Sequence, residues 1–338
     1  MKVKLKDIAE ASGVSIVTVS AALNNKSGVS DKRKAKIQKI AKKMGYTPSI
    51  AARLLKQGRN MDIALVINEL PDNIPGSGMI NPIISSFVEE CGREKIRNQL
   101  EFTDLQHDVV PQCMSGGLVG GVIHVGVINP ALQKWLDEHP NFPMVQIDEN
   151  YKYCVLVNTG NGIYEAIQYL SALGHKKLGL LCGKRKFLIH KNIYSSFLTA
   201  QDEYGIARNP LWIKDLDLEE DIDAVQTAVD AAREILSLPD RPTAIISADM
   251  RITTGIIYSA LSMGLKIPED LSIISAGASW EAEKAYPPIT CFEINWKQIM
   301  ESAISVLRRL MNGIEIDSVK NITELKLIKR KSVANLNN

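Results

Sequence analysis

Residues 14–30 read VSIVTVSAALNNKSGVS. The run is rich in β-branched residues, which ordinarily favour a strand. Yet Ser15 has the chemistry of a helix N-cap, and Val19, Ala22 and Leu23 recur at helical spacing. Read as a helix, the segment turns Val14, Val19 and Leu23 inward and Ile16, Val17, Ser20 and Ala21 outward. Small apolar side chains are poorly suited to water but well suited to thymine methyl groups in a major groove. The chemistry offered is recognition rather than catalysis. Catalytic and nucleotide signatures are missing: there is no G-x-x-x-x-G-K-[ST], no G-x-S-x-G and no H-E-x-x-H. GNGIYE at 160–165 lacks the third glycine of a dinucleotide fingerprint and reads as a helix start.

Three short helices must position that face. LKDIAEASG forms the first, with Leu5, Ile8 and Ala9 inward and Gly13 as its stop. A turn of about four residues leads to the second, at helix-turn-helix spacing. The third starts near Asp31 behind Ser30, buries Ile37, Ile40, Ala41 and Met44, and stops at Gly45. YTPSIAARLLKQGRN then offers Thr47 as N-cap, Pro48 at the first helical position and Gly58 as stop. So short a helix is marginal alone in water.

Charge separates this head from the rest. The first 60 residues hold fourteen Lys and Arg against Asp7, Glu10 and Asp31, a surplus of +11, whereas the whole chain carries +2, so the remainder is −9. A basic head on an acidic body points to a polyanion partner for the head. With 338 residues and 45% apolar composition, the chain has material for two or three domains with real cores. No apolar run reaches a membrane-spanning length, and MKVKLKDIAE has no apolar core of a signal peptide, so a cytoplasmic protein is expected. The scattered cysteines Cys91, Cys113, Cys154, Cys182 and Cys291 read as free thiols, and no metal or cofactor is expected.

From residue 60 onward, apolar β-type runs alternate with helical stretches. MDIALVIN (61–68), QLEFTDL (99–105), GGVIHVG (120–126), PMVQID (143–148), KKLGLLCG (176–183), PLWIKDLD (210–217), TAIISA (243–248) and LSIISAG (271–277) read as strands. Helices are expected near 82–97, 190–204, 219–236 and 250–263. The pattern predicts parallel sheets covered on both faces, and its length predicts two lobes.

The head resembles the DNA-binding head of the lactose/galactose-repressor family. The resemblance rests on the DIA…GVS…TVS..LN frame, the VS that opens the third helix, the GY.P turn and the A.A..L hinge. Further likeness runs through LGHKKLGLL (173–181), PTAIISADM (242–250), GLKIPEDLSIIS (264–275), PPIT (287–290) and KRKS (329–332). It implies an α/β chain with a small all-α helix-turn-helix head at 1–46 and a hinge helix and linker at 47–59. A two-lobed periplasmic-binding-protein-like body of doubly wound parallel sheets would follow. Its N-lobe would comprise 60–158 with 293–321, and its C-lobe 159–292 with 322–338. Crossings between the lobes are expected near Asn158, Glu293 and Ile322.

The same resemblance implies a sequence-specific transcriptional regulator, a repressor, that binds a near-palindromic operator as a homodimer. Its expected DNA-binding residues are Lys6, Ser15, Ile16, Val17, Thr18, Ser20, Ala21, Asn24, Ser30, Tyr46, Ser49, Arg53 and Leu55. Ser15 and Asn24 would contact phosphates, and Leu55 would wedge into the minor groove. The positions of the family's base-reading polar residues hold Ile16, Val17 and Ala21, so the operator is not that of familiar members. No leucine heptad follows KSVANLNN, which favours dimers over tetramers.

In the expected effector cleft, three polar anchors of the family fall on Ile193, Ala248 and Gly277. A site lacking them is a poor one for common sugars. Glu69, His190, Asp249 and Trp280 complete the candidate cleft residues, with Arg251 as a further gripping group and Asp249 expected to cap or pair within its lobe. The expected partners are double-stranded operator DNA, a second copy of the chain and a small-molecule effector. No membrane association and no catalytic residue are expected. A second reading gives the body a protein partner in place of a small molecule.

Overall fold

A computed structural model describes residues 5–23, 29–44, 60–68, 80–103, 107–218, 223–277 and 279–337. The chain divides into two compact units, Met1–Asn60 and Met61–Asn338.

The first unit contains α1 (Leu5–Ser12), α2 (Ile16–Leu23) and α3 (Asp31–Lys43). Gly13 adopts φ +68°, the left-handed turn that glycine enters without steric cost, and Val14 N donates back to Ala9 O at 3.2 Å. Ile8, Ala9, Val19, Ala22, Ile37 and Ala41 form a small shared core, with Val14, Leu23, Ile40 and Met44 packed on it. The expected hinge helix, with Tyr46, Ser49, Arg53 and Leu55, lies outside the described residues, as do Asn24 and Glu69.

Among the described residues, the second unit holds two six-stranded sheets. Its elements in chain order are β1 (Ile63–Asn68), α4 (Ile80–Arg93), β2 (Asn98–Thr103), α5 (Gln112–Ser115), β3 (Gly121–Val125) and α6 (Pro130–Glu138). Then come β4 (Met144–Ile147), β5 (Tyr153–Val157), α7 (Thr159–Ala172), β6 (Leu178–Gly183), α8 (Leu188–Glu203) and β7 (Ile213–Leu216). α9 (Ala224–Leu236), β8 (Ala244–Ser247), α10 (Met250–Ser262), β9 (Ser272–Ser275) and α11 (Ser279–Lys284) follow. β10 (Thr290–Glu293), α12 (Trp296–Met311), β11 (Val319–Thr323) and β12 (Lys326–Ile328) complete the unit.

The first sheet runs β11-β5-β4-β3-β1-β2 and is parallel throughout. The second runs β12-β10-β9-β8-β6-β7 and is parallel except for β12 against β10. β1 and β6 are buried at every position, as strands covered on both faces must be, which explains their unbroken apolar runs. This is the doubly wound α/β body that the pattern predicts.

The backbone passes between the sheets three times: from β5 into α7, from β10 into α12, and from β11 to β12. Ile322 still pairs with Leu156 in the first sheet, so the last passage comes after it. The tail is tied to the second lobe through His175, whose Nδ1 meets Thr243 Oγ1 at 2.9 Å and whose Nε2 meets Ala334 O at 3.1 Å. All five cysteines are buried, and desolvation pushes Cys91, Cys113 and Cys182 up to about 12, far from reactive thiolates.

Candidate nucleic-acid interface and interlobe cleft

In the head, Ser15 caps α2. Thr18 N donates to Ser15 Oγ at 3.1 Å, and the two side-chain hydroxyls lie 2.9 Å apart. Capping fixes the first turn of the helix, and that turn carries the face of interest. Val17 is 77% exposed and Ile16 is 47% exposed, while the neighbouring Val19 is fully buried. Lys6, on α1, is also exposed. The head thus offers an apolar ridge on a capped short helix, in a segment rich in basic residues.

Between the lobes lies a cavity of about 140 Å³. One wall is built from strand ends of the first sheet: Ile67 and Asn68 on β1, Val125 and Gly126 at β3, and Ile147, Asp148 and Glu149 at β4. Ile80 and Ile83 of α4 and Trp296 of α12 extend it. The opposite wall is Phe187, Ile189 and His190 at the start of α8, with Leu218 and Arg251. Carboxyl ends of parallel strands are where an open α/β sheet leaves a crevice.

Polar groups in this cavity have distinct states. Asn68 is 7% exposed; its Nδ2 donates to Thr103 Oγ1 at 2.8 Å, and its Oδ1 has no partner among the described residues. An unpaired buried acceptor of this kind costs about 1–3 kcal/mol. Gly126, at φ +111°, makes room for it: a Cβ there would stand 2.7 Å from Asn68 Cβ. Glu149 Oε1 accepts from Leu188 N at 2.9 Å, so a carboxylate of the first lobe caps a helix of the second that has no side-chain cap of its own. Burial raises the Glu149 carboxyl above its ordinary range. His190 Nδ1 accepts from Gly183 N at 3.3 Å, and burial lowers its pKa, so the ring is neutral with its proton on Nε2. Arg251 pairs with Asp249 at 2.9 Å.

Two family models match the chain. Bacterial regulatory proteins of the lacI family match residues 4–49, and the periplasmic binding protein-like domain matches residues 167–333. The head is thus a LacI-family DNA-binding domain, and the body carries a periplasmic binding protein-like domain. With this pair of domains it is a DNA-binding transcriptional regulator and not an enzyme. It is 27% identical to the HTH-type transcriptional repressor PurR of Vibrio vulnificus, over 98% of this chain and 99% of that one. It is 26% identical to the HTH-type transcriptional regulator DegA of Bacillus subtilis, over the full length of both. The lac repressor dimer bound to operator and the anti-inducer ONPF has the same fold, at TM-score 0.83 and 18% identity, covering 99% of this chain and all of that one.

Several expected site residues of this chain sit elsewhere than the sequence implies. Ser20 does not face outward: it is 7% exposed, because α2 is held between α1 and α3 and its buried arc is correspondingly wide. Ala21 is partly buried. Ile193 is not a cleft residue but fully buried core, since Ile193, Phe197 and Ala200 form the stripe by which α8 covers its sheet. Only the start of α8 reaches the cavity. Ala248 is 6% exposed and held by its N–H to Leu181 O, and Gly277 turns at φ +117°; neither lines the cavity. Trp280 is 52% exposed, lies under Lys284 Nζ, and lines a neighbouring hollow with Glu283 and Glu293 that shares Trp296 with the cavity. Asp249 accepts from Ile252 N at 3.0 Å and pairs with Arg251, a cap and an ion pair within its lobe. Of the candidates, His190 and Arg251 line the cavity. Asn68, Asp148 and Glu149 are missed by the sequence reading, although each ends a strand, the position the crevice rule singles out.

Asp148 gives a direct test of this wall. It adopts φ +62°, and its Oδ1 accepts from Val157 N at 3.2 Å. Desolvation pushes its carboxyl up to about 7, and the charge of Glu149 adds to the rise. Among the described residues, the remaining titratable groups on the cavity are His190 and Arg251, the latter paired with Asp249. A pKa raised on folding stabilises the fold below the unfolded value, and this stabilisation is lost as pH rises through the folded value. Asp148→Asn is therefore expected to stabilise the protein at about pH 8 and to do nothing below about pH 4. The shift caps the gain at about 4 kcal/mol, and access to water reduces it to ~1–2 kcal/mol. Thermal unfolding of both proteins across that range measures it, and an equal gain at both ends would refute the assignment.

Proposed function

We propose that this chain is a repressor that binds a near-palindromic operator as a homodimer. The outward ridge of α2 would enter the major groove, and the interlobe cavity would hold a small-molecule effector that alters operator affinity. The carrying observation is the pairing of Val17, 77% exposed, with Ile16, 47% exposed, on the capped second helix of a helix-turn-helix. Such side chains have no function in water and a fitting one against thymine methyls. Two-fold symmetry in the protein would be mirrored in the operator. Lys6, Ser15, Thr18 and Ser30 are the groups proposed to hold the backbone phosphates near this face.

Operator selection from random duplexes, followed by sedimentation with and without the selected site, tests this reading. The expected product is a dimer on an inverted repeat. A stable monomer at micromolar concentration, or a selected site without symmetry, would refute it. The small-molecule reading is preferred to a protein partner because the cavity is lined by both lobes and one of its lining residues, Asn68, has an acceptor without a partner among the described residues.

The hinge at 47–59 is proposed to become helical on the operator, with Leu55 in the minor groove and Tyr46, Ser49, Arg53 and Asn24 beside it. A helix of this length gains too little alone in water, so the operator must supply the ordering energy. Leu55→Ala is expected to weaken operator binding about tenfold or more, while the unfolding midpoint of the body stays in place. Fluorescence anisotropy and thermal unfolding of the same samples measure the two quantities. Unchanged operator affinity would remove Leu55 from the interface.

A further inference from the structure

We propose that the interlobe cavity takes a small apolar amine, with one ring's worth of hydrocarbon against its walls and a nitrogen that donates to Asn68 and Asp148. This deepens the effector reading and rests on it.

Size sets the first limit. The cavity measures about 140 Å³, close to that of an apolar cavity known to hold benzene. Its walls are branched aliphatic and aromatic, Ile67, Ile83, Val125, Ile147, Phe187 and Trp296 among them. Such walls accept one hydrocarbon ring and offer nothing to a ring of hydroxyls.

The polar groups set the second limit. Asn68 Oδ1 is a buried acceptor with no partner among the described residues, while the other end of the same amide is held by Thr103. Gly126 keeps the space beside it free of any side chain. Asp148 lines the same cavity, accepts one backbone bond from Val157, and is paired with no cation among the described residues. Asn68 Oδ1 can only accept, and Asp148 accepts as well once it is ionised. On the other wall Arg251 is committed to Asp249, and Glu149 is committed to Leu188 N. An anion would meet Asp148 and Glu149 at close quarters. A sugar would leave most of its hydroxyls against hydrocarbon. An ammonium on a hydrocarbon ring satisfies the orphaned oxygen and gives Asp148 its missing countercharge.

The experiment uses the full chain and four probes of one shape: benzylamine, benzyl alcohol, toluene and benzoate. Binding is read by calorimetry, and operator affinity is measured in the same samples. Benzylamine is expected to bind about tenfold or more tighter than the alcohol and toluene, and benzoate is expected not to bind. Asn68→Leu and Asp148→Asn should each reduce benzylamine affinity about tenfold without weakening toluene. Asn68→Asp, which keeps an acceptor in place, should retain benzylamine and guards against a variant that merely unfolds. If toluene or benzoate binds as tightly as benzylamine, or if neither acceptor substitution matters, the amine class is overturned and the effector cleft stands. If none of the four binds, the amine class is overturned.

Discussion

Gly255→Ala is expected to destabilise the second lobe by about 2–3 kcal/mol and to lower the unfolding midpoint by roughly 5–10 °C. Gly255 lies in α10 where it crosses α9, and the two helices touch backbone to backbone. A Cβ there would stand 2.5 Å from Ala228 Cβ, 2.7 Å from Val225 O and 2.8 Å from Val229 N. None of these atoms is the far end of a flexible side chain, so the helices themselves must part. Alanine's better helix propensity returns only about 1 kcal/mol against that strain. Gly92, in the last turn of α4, provides the opposite case, since nothing lies within 4 Å of the Cβ it lacks. Gly92→Ala is expected to raise stability by about 0.5–1 kcal/mol. Denaturant unfolding of the two variants side by side measures the contrast. Equal effects would show that α9 and α10 are not in backbone contact.

Val17→Asp is expected to weaken operator binding by about 3 kcal/mol, roughly hundredfold, and to leave the folding of the head within about 0.5 kcal/mol of the parent. The asymmetry comes from exposure. Val17 contributes nothing to the core of Ile8, Val19, Ala22 and Ile37, so the free head has nothing to lose. On the operator, a carboxylate would replace an apolar contact and bring negative charge among phosphates. Lys6→Ala is the control: it should weaken all sequences alike and reduce the salt dependence by about one ion, without changing which bases are preferred. Anisotropy titrations on operator and scrambled duplexes at several salt concentrations separate the two behaviours. A Val17→Asp head that binds the operator normally would place another surface in the groove.

How legible the molecule was in its sequence varies from element to element, for physical reasons. β1, β3 and β6 are readable because strands covered on both faces are continuous apolar runs. β5 was missed because it lies parallel to β4 after a link of only a few residues, where alternation demands a helix. β11 and β12 are edge strands with exposed positions, VKNIT and KLI, and carry little apolar signal of their own. The head is the most readable part, yet helical spacing alone turns Ser20 outward, because it does not register that a helix gripped from two sides buries more than one stripe. In the cleft, family spacing pointed to Ile193, Ala248 and Gly277, whereas the cavity is lined by Asn68 and Asp148. An asparagine after a strand is unremarkable in a sequence. That its oxygen is left without a partner is a property of coordinates.

The threefold passage of the backbone between the sheets has a consequence for the order of events during synthesis. The edge strand β11 of the first sheet and the edge strand β12 of the second are both drawn from residues 319–328. Neither lobe is therefore a contiguous stretch, and neither sheet reaches six strands until this short segment has left the ribosome. The three helices of the head, by contrast, are contiguous and emerge first. A nascent chain can thus display a finished reading head while both lobes of the body still lack their closing strands. A stop codon just before residue 319 would leave two five-stranded sheets and remove the Ala334 carbonyl that His175 holds.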